Sequence, residues 1–507
     1  MPLPESLDVL IVGAGLSGIG AAAHLQRRCP GKSFAILEAR DAIGGTWDLF
    51  RFPGVRSDSD MYTLGYSFRP WTHDRAIADG LSIRRYITDT AREAGIDAHI
   101  RFGHKVTRAA WSSDTALWTI EAHRSGTAVP ERLCCRFLYV CGGYFHYDSA
   151  YRPDFPGEQL YGGMIVHPQF WPEHLDYTDK RVIVIGSGAT AVTLIPEIAK
   201  RAAHVIMLQR SPSYVFSLPT VDAIAQRLRR WLPARMAFHL VRMKNLIIGM
   251  FFFQLARSRP EWVKKRLVRM VEDRLPPQFD VERHFTPRYN PWDQRVCVVT
   301  DGDLFEAIGS GAVSVVTDEI EAFTAGGIRL KSGTEMQADI VVAATGLNLN
   351  LLGGIEFTVD GAGVAASRAM AYKGAMLGGV PNMAFTFGYT NASWTLKADL
   401  TAGYVCRLIR YMDSRGYAIA TPRPDPSLGE DPFLDFTSGY VIRALEMLPK
   451  QGSRRPWKVY QNYFLDAFTL RLARIDDGVL QFERPRSTLS RSAAAAALFH
   501  SSRRLDA

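Results

Sequence analysis

Asp8-Val9-Leu10-Ile11-Val12-Gly13-Ala14-Gly15-Leu16-Ser17-Gly18 is the stretch that decides the fold. Asp8 to Val12 reads as a buried strand, Gly18 to Arg28 as a helix, and Phe34 to Glu38 as a second strand. Between strand and helix the spacing is G-x-G-x-x-G. The first glycine permits a tight turn, the second lets backbone approach a pyrophosphate, and the third lets helix and strand pack closely. The helix N-terminus then offers free N–H groups to the anion. Glu38 ends the second strand at roughly the ~20-residue spacing of an acid that holds a ribose diol. A glycine turn with its strand, helix and acid all in place predicts a dinucleotide site.

Further along, the device recurs. Arg181 to Ile185 reads as a strand, Ala191 to Lys200 as a helix and His204 to Gln209 as another strand. Gly186-Ser187-Gly188-Ala189-Thr190-Ala191 forms the turn, with alanine in the last place. The second strand now ends in Arg210-Ser211, with no acid where Glu38 sat. An acid would repel a 2′-phosphate, whereas a guanidinium and a hydroxyl would bind one. This site is therefore expected to take NADPH rather than NADH, the bland alternative being a solvated surface Arg210. A hydride donor needs an acceptor, so FAD is expected in the first site. Disulfide reductases share this order but need a dithiol. The six cysteines, Cys29, Cys134, Cys135, Cys141, Cys297 and Cys406, include no C-x-x-C pair. They read as buried, reduced thiols of a reducing cytosol.

The expected fold class is α/β, with two Rossmann-like dinucleotide-binding domains and a helical insertion. With 507 residues the prior is two or three domains. The reading is 1–150 as the first part of an FAD domain, 151–335 as an NADPH domain and 336–486 as the second part of the FAD domain. Asp148 to Gly157 is taken as a linker, and Asp339 to Thr345 as an apolar strand near the return. The Ser/Arg/Ala-rich tail, 487–507, is expected to be disordered. Leu7 to Val12 reads as a strand rather than an export segment. No stretch reaches the ~18 apolar residues of a membrane span, Leu246 to Leu255 coming nearest. A cytoplasmic location is expected.

The formal charge is +9. Between Ala223 and Leu275 lie thirteen Lys and Arg against three acids, or +10, which accounts for the whole excess. A chain-wide nucleic-acid surface is not implied. This insertion, 223–275, is expected to be helical, and its pattern leaves two readings. One is an amphipathic helical pair packed on the protein with a solvated arginine face. The other is a peripheral membrane contact at the inner face, Phe251 to Phe253 dipping into lipid while arginines meet anionic headgroups. The same apolar residues could equally mediate self-association into a homo-oligomer.

Two further runs carry a family resemblance. The first is Gly44-Gly45-Thr46-Trp47-Asp48 leading to Pro53-Gly54-Val55-Arg56-Ser57-Asp58. The second is Tyr161-Gly162-Gly163-Met164-Ile165-Val166-His167-Pro168-Gln169-Phe170-Trp171-Pro172. The second resembles the fingerprint F-x-G-x-x-x-H-x-x-x-W-P of Baeyer–Villiger monooxygenases, class B flavoproteins, with Tyr161 in place of phenylalanine. Similarity continues through Tyr289 to Arg295, Ala344 to Gly346 and Gly388 to Lys397.

The resemblance implies that Thr46, Trp47 and Asp48 line the flavin, with Gly13, Gly15, Ser17, Gly18, Glu38 and Gly45 around its phosphates and ribose. It implies a backbone contact from Val106 to the adenine. Arg295 is implied as the catalytic arginine and Asp58 as its partner acid, with Arg56 and Ser57 near the nicotinamide. His167 and Trp171 are implied as hinge residues coupling NADP binding to domain position. Many family members carry a lysine that helps bind the 2′-phosphate where this chain has Gln294, so the resemblance implies either that Arg210 carries that contact alone or that the preference for NADPH is weaker.

The resemblance also implies the chemistry. NADPH reduces FAD, and the reduced flavin adds O2 to give a C4a-peroxyflavin, which turns ketones into esters and S-oxygenates sulfides or thioamides. A fixed guanidinium suits such a reaction because it stays charged at any working pH and stabilises developing negative oxygen. Without the resemblance, Arg295 would read as a structural ion pair with neighbouring Asp293. The alternatives are an N- or S-oxidising flavin monooxygenase without carbonyl activity, and a flavin-binding redox sensor at the membrane.

Overall fold

A computed structural model describes residues 5–127 and 129–485. The tail read as disordered lies outside the described residues.

Strand β1 (Glu5–Val12) enters helix α1 (Leu16–Arg28), which returns to β2 (Phe34–Leu37). β1 pairs in parallel with β2 on one side and with β3 (Glu131–Val140) on the other. Leu10 and Ile11 are almost fully buried, as the continuous apolar run of an interior parallel strand requires. The sheet continues antiparallel from β3 through Leu117–Arg124 to His104–Ser112. Chain from far downstream completes it: Glu356–Val359 pairs with His104–Ser112, and Met383–Phe385 with β3.

The second unit is a five-stranded parallel sheet. β4 (Arg181–Ile185) leads through helix α2 (Ala189–Ile198) to β5 (His204–Gln209). Val313–Thr317 lies beyond β5.

The insertion after β5 forms three helices, α3 (Ala223–Trp231), α4 (Ala234–Ser258) and α5 (Pro260–Glu272). Asp222 caps α3 by accepting from the Ile224 and Ala225 N–H groups. Pro233 precedes α4, and Pro260 opens α5 at a position where its missing N–H costs nothing. α4 buries Phe238, Val241, Leu246 and Met250 in the core of the first domain, not the second.

The solvated-arginine reading of this insertion is inverted at two key positions. Arg242 points inward, its Nη1 donating to the Tyr62 and Gly65 carbonyls at 2.7 Å. Arg229 donates to Tyr62 Oη at 2.9 Å and the His73 carbonyl at 2.8 Å. Side chains such as Ile247, Phe251 and Phe252 face outward instead. The expectation that no segment reaches the ~18 apolar residues of a membrane span meets one helix of comparable length and apolarity, a third of whose most apolar window is buried in the protein. α4 meets that test by length and composition. Leu246 to Leu255 is the most apolar part of the helix, and Met236, Leu240 and Met243 extend the apolar pattern upstream.

The strand expected near the return, β6 (Ile340–Ala343), belongs to the second sheet, between β4 and Met164–Val166. Its four residues are all buried, the signature of an interior parallel strand. A boundary at 335/336 therefore falls too early. The chain crosses back after Gly346, where Leu347–Leu349 pairs antiparallel with Phe145–Ala150. The outgoing linker, read as 148–157, thus begins as half of a two-stranded crossover. Helix α6 (Trp394–Arg415) then packs on α1.

Candidate active site

A cleft of about 1240 Å³ runs between the two glycine turns. Its first end is a backbone cradle. Gly13 has φ +100°, and a Cβ there would sit 2.8 Å from the Cys141 carbonyl oxygen. A Cβ on Gly18 would land 1.8 Å from the Gly13 carbonyl oxygen, so this glycine is what lets α1 start against the turn. Gly45, at φ +56°, brings a second glycine loop to the first, a Cβ there reaching 3.1 Å from the Gly15 Cα. Glu38 is buried, its carboxylate accepting from the Ala14 N–H at 2.6 Å and the Arg40 N–H at 2.9 Å. Burial raises its pKa. Gly13, Gly15, Ser17, Glu38, Gly45, Thr46, Trp47 and Val106 all line this end. Open backbone with an acid at the ribose position fits an adenine dinucleotide such as FAD.

Two predicted residues are not on that wall. Gly18 lies beneath it as a packing position. Asp48, expected to line the flavin, is 2% exposed and turned away, held by Arg40 at 2.5 Å and Arg84 at 3.1 Å. The cause is local: Thr46–Leu49 is one helical turn, so Asp48 points roughly 200° from Thr46. Asp48 fixes the loop from behind.

Sequence reading missed what closes this end. Trp394 donates from Nε1 to Ser17 Oγ at 2.7 Å and stacks on Tyr144, with ring centroids 4.9 Å apart and planes 13° apart. Tyr147 lies against Thr46, and burial pushes its phenol up to about 12. Trp394 falls in the Gly388 to Lys397 run without a role readable there, and the two tyrosines have no spacing signature, since each meets the site through tertiary contact.

At the other end, Gly186 has φ +132°, and a Cβ there would strike the Ala344 carbonyl oxygen at 2.4 Å. Gly188 caps α2, with Ala189 and Thr190 in its first turn. Ser187 Oγ lies 3.1 Å from the Ser211 carbonyl oxygen and 2.9 Å from Ser213 Oγ. Arg210 and Ser211 follow β5, are exposed and line the cleft, as do all five residues from Gly186 to Thr190. The free guanidinium and hydroxyl fit a 2′-phosphate. Asp318 and Glu319, also unforeseen, line the same end, with Glu319 engaged by Lys331 at 2.5 Å.

Midway along the cleft Arg295 meets Asp58, Nη1 to Oδ2 at 3.4 Å. About a third of each side chain is open to the cleft. The Asp58 carboxylate raises the Arg295 pKa further above its ordinary value, so the guanidinium is a permanent cation. Tyr144 and Tyr440 share this wall, both phenols pushed up by burial and so neutral. The bland pairing of Arg295 with Asp293 does not occur. Asp293 instead takes Arg257 at 3.0 Å and the Asn290 N–H at 3.2 Å, which braces the loop that presents Arg295.

Arg56 and Ser57 also line the cleft. Arg56 reaches across to Asp303 of the second unit at 2.6 Å, with Nη2 buried and unpartnered. The Ser57 hydroxyl donates to the Ser59 carbonyl. His167 and Trp171 stay outside the cleft. His167 Nδ1 accepts from the Gln169 N–H at 3.1 Å, so its Nε2–H donates to the Gly346 carbonyl, also at 3.1 Å. That bond joins the outgoing crossover to the returning one. Trp171 packs edge-on to Tyr177 in the second domain.

Two dinucleotide cradles facing one cleft, with a fixed cation between them and no dithiol, define a flavoprotein oxidoreductase that takes electrons from NADPH. Residues 77–353 match the flavin-binding monooxygenase-like family, and residues 11–73 match the NAD(P)-binding Rossmann-like domain. The FAD-containing monooxygenase EthA of Mycobacterium tuberculosis is 54% identical, over 95% of this chain and 99% of its own. EthA of Mycolicibacterium smegmatis is 51% identical, over 97% of this chain and 100% of its own. Among solved structures, an oxidized steroid monooxygenase bound to NADP superposes with a TM-score of 0.70 at 24% identity, covering 83% of this chain and 88% of that one. The chain belongs to the flavin-binding monooxygenase-like family. It is an FAD- and NADPH-dependent monooxygenase, so the sensor reading falls away.

Proposed function

We propose that this monooxygenase is of the Baeyer–Villiger type and converts small apolar ketones to esters, with S-oxygenation of sulfides or thioamides as a second activity. The observation that carries the reading is the Arg295–Asp58 pair, set between the two cradles and beside an aromatic wall. The balance is ketone, O2, NADPH and H+ giving ester, NADP+ and water. Bound FAD supplies the oxygen-activating chemistry. Gly13, Gly15, Ser17, Glu38, Gly45, Thr46, Trp47 and Val106 hold it, while Gly186 to Thr190, Arg210 and Ser211 hold NADPH. Arg295 places a full positive charge where negative oxygen develops on the carbonyl. Asp58 orients that charge, and Arg56 braces the second domain against the first. Tyr144, Trp394 and Tyr440 offer the ketone an aromatic wall beside Arg295.

The test is stoichiometry. Purified holoenzyme with NADPH, O2 and a water-soluble ketone is expected to yield about one ester per NADPH consumed. NADPH oxidation that gives only hydrogen peroxide, with no ester and no sulfoxide from any substrate offered, would overturn the reading.

A further inference from the structure

α4 is apolar on two faces. One is buried on the first domain through Phe238, Val241, Leu246 and Met250. The other carries Met236, Leu240, Met243, Ile247 and Phe251, each 46–61% exposed. Their spacings of four, three, four and four residues make one continuous stripe, roughly 22 Å long at 1.5 Å per residue. Among the described residues, ten of the twenty-one large exposed apolar side chains fall between Ile224 and Trp262. Scattered single residues would need no explanation, but a concentration of this kind marks an interaction surface.

Charge and aromatic placement select the occupant. Arg227, Arg230 and Arg235 are exposed before or at the start of the stripe, and Arg259, Lys265 and Arg266 after it. Trp231, 81% exposed, precedes α4, and Trp262, 58% exposed, follows it. An apolar stripe flanked by tryptophans and cations fits the headgroup boundary of an anionic bilayer. A surface pairing with a second copy would bring these like charges together, which the bilayer avoids.

The C-terminal part of α4, just past the stripe, touches the loop that carries Arg295. Phe253 packs edge-on to Trp292, three residues before Arg295, with centroids 6.1 Å apart. Arg257 bridges Asp293 and Asp435, and the Thr437 N–H donates to the Asp293 carbonyl at 2.8 Å. Ser438, Gly439 and Tyr440 then line the cleft.

We infer that the outer stripe of α4 docks on an anionic lipid bilayer and opens the cleft to apolar substrate dissolved there. The substrate half rests on the ketone-oxidising reading above; the docking half does not.

The test floats holoenzyme with vesicles containing about one-third phosphatidylglycerol, and separately with pure phosphatidylcholine. Binding is expected only to the anionic vesicles, and to fall about tenfold or more in 1 M salt, where the screening length shrinks to ~3 Å. Ile247→Asp/Phe251→Asp should abolish flotation yet leave turnover of a water-soluble ketone unchanged. It should also remove any rate advantage for a long-chain ketone presented in vesicles. No flotation of the parent protein, equal flotation of the variant, or a dimer in solution that the variant dissociates would overturn docking. Docking without a vesicle-dependent rate advantage would overturn the delivery role alone, provided the soluble ketone is turned over. Failure with the soluble ketone strikes the chemical reading and leaves the flotation result standing.

Discussion

Replacing Arg295 with alanine separates the chemistry from the scaffold. At 3.4 Å from Asp58 the gross attraction is about 5 kcal/mol at an effective dielectric constant near 20, and much less once solvent around the half-open pair screens it. Arg295 does not need Asp58 in order to be charged, since its pKa is already above any working pH. The two deletions should therefore differ in size. Loss of a donor aimed at a developing oxyanion costs about 10²–10³ in rate, or ~3–4 kcal/mol. Loss of the orienting carboxylate in Asp58→Asn should cost only about tenfold, or ~1.4 kcal/mol. Because Asp58 acts through Arg295, the double variant should be no worse than Arg295→Ala alone. The assay follows ester by gas chromatography, NADPH by absorbance and hydrogen peroxide by a coupled peroxidase, at matched flavin content. In Arg295→Ala, NADPH consumption should continue and end in peroxide. Ester yield per NADPH within threefold of the parent would refute the assignment, and strict additivity in the double variant would refute the claim that Asp58 works through Arg295.

Gly18→Ala should abolish FAD retention, because its Cβ would lie 1.8 Å from the Gly13 carbonyl oxygen; absorbance near 450 nm of the purified variant reports this, and a full complement of flavin would contradict it. Arg210→Ala should raise the KM for NADPH by roughly 10–100-fold, the scale of one charge-assisted phosphate contact, and leave that for NADH unchanged; an equal rise for both would show that Arg210 does not read the 2′-phosphate. Burial lowers the His167 pKa, and protonating Nδ1 would break its bond from the Gln169 N–H. Below about pH 6.5 the unfolded chain therefore binds the proton more readily, so stability present at neutral pH is lost on acidification, at up to ~1.4 kcal/mol per pH unit. The drop in thermal midpoint between pH 7.5 and 5.5 should be smaller in His167→Gln than in the parent, and an identical drop would remove His167 as its source.

Both nucleotide cradles were legible because their chemistry is local. A glycine turn, its helix and the residue ending the next strand lie within about thirty positions, and backbone geometry alone fixes where they meet. Arg295 and Asp58 are 237 positions apart, and only family resemblance brought them together. Asp48 shows the limit of such transfer: a motif reports that a segment borders the site but not which way each side chain turns within one helical turn. Trp394 lies in a run that shares the family resemblance but gives no role, and Tyr144 and Tyr147 carry no pattern at all, since each is placed by the packing of α6 or of the crossover against the first glycine turn. Likewise β6 reads as any apolar strand, and only its pairing with β4 assigns it to the second sheet.

The insertion departs from the expected pattern at Arg242 and Arg229 for a different physical reason. Amphipathic logic assumes one apolar face, turned inward, and one charged face, turned out. α4 breaks that assumption because its inward face is bought with hydrogen bonds as well as apolar contact: Arg242 satisfies two carbonyls left free around the short Met61–Leu64 helix and faces Asp399 at 3.5 Å. A buried guanidinium so placed is costly to leave unpaired and hard to replace. Arg242 therefore rivets the insertion of the second domain onto the first, and Arg229 does the same one helix earlier. α5 packs in the second domain through Val271, so the turns flanking α3–α4 and the paired crossovers joined by His167 and Gly346 are where the chain passes between the two domains. α3 and α4 are thus fastened to the flavin half of the cleft, which ties the outer stripe to the first cradle.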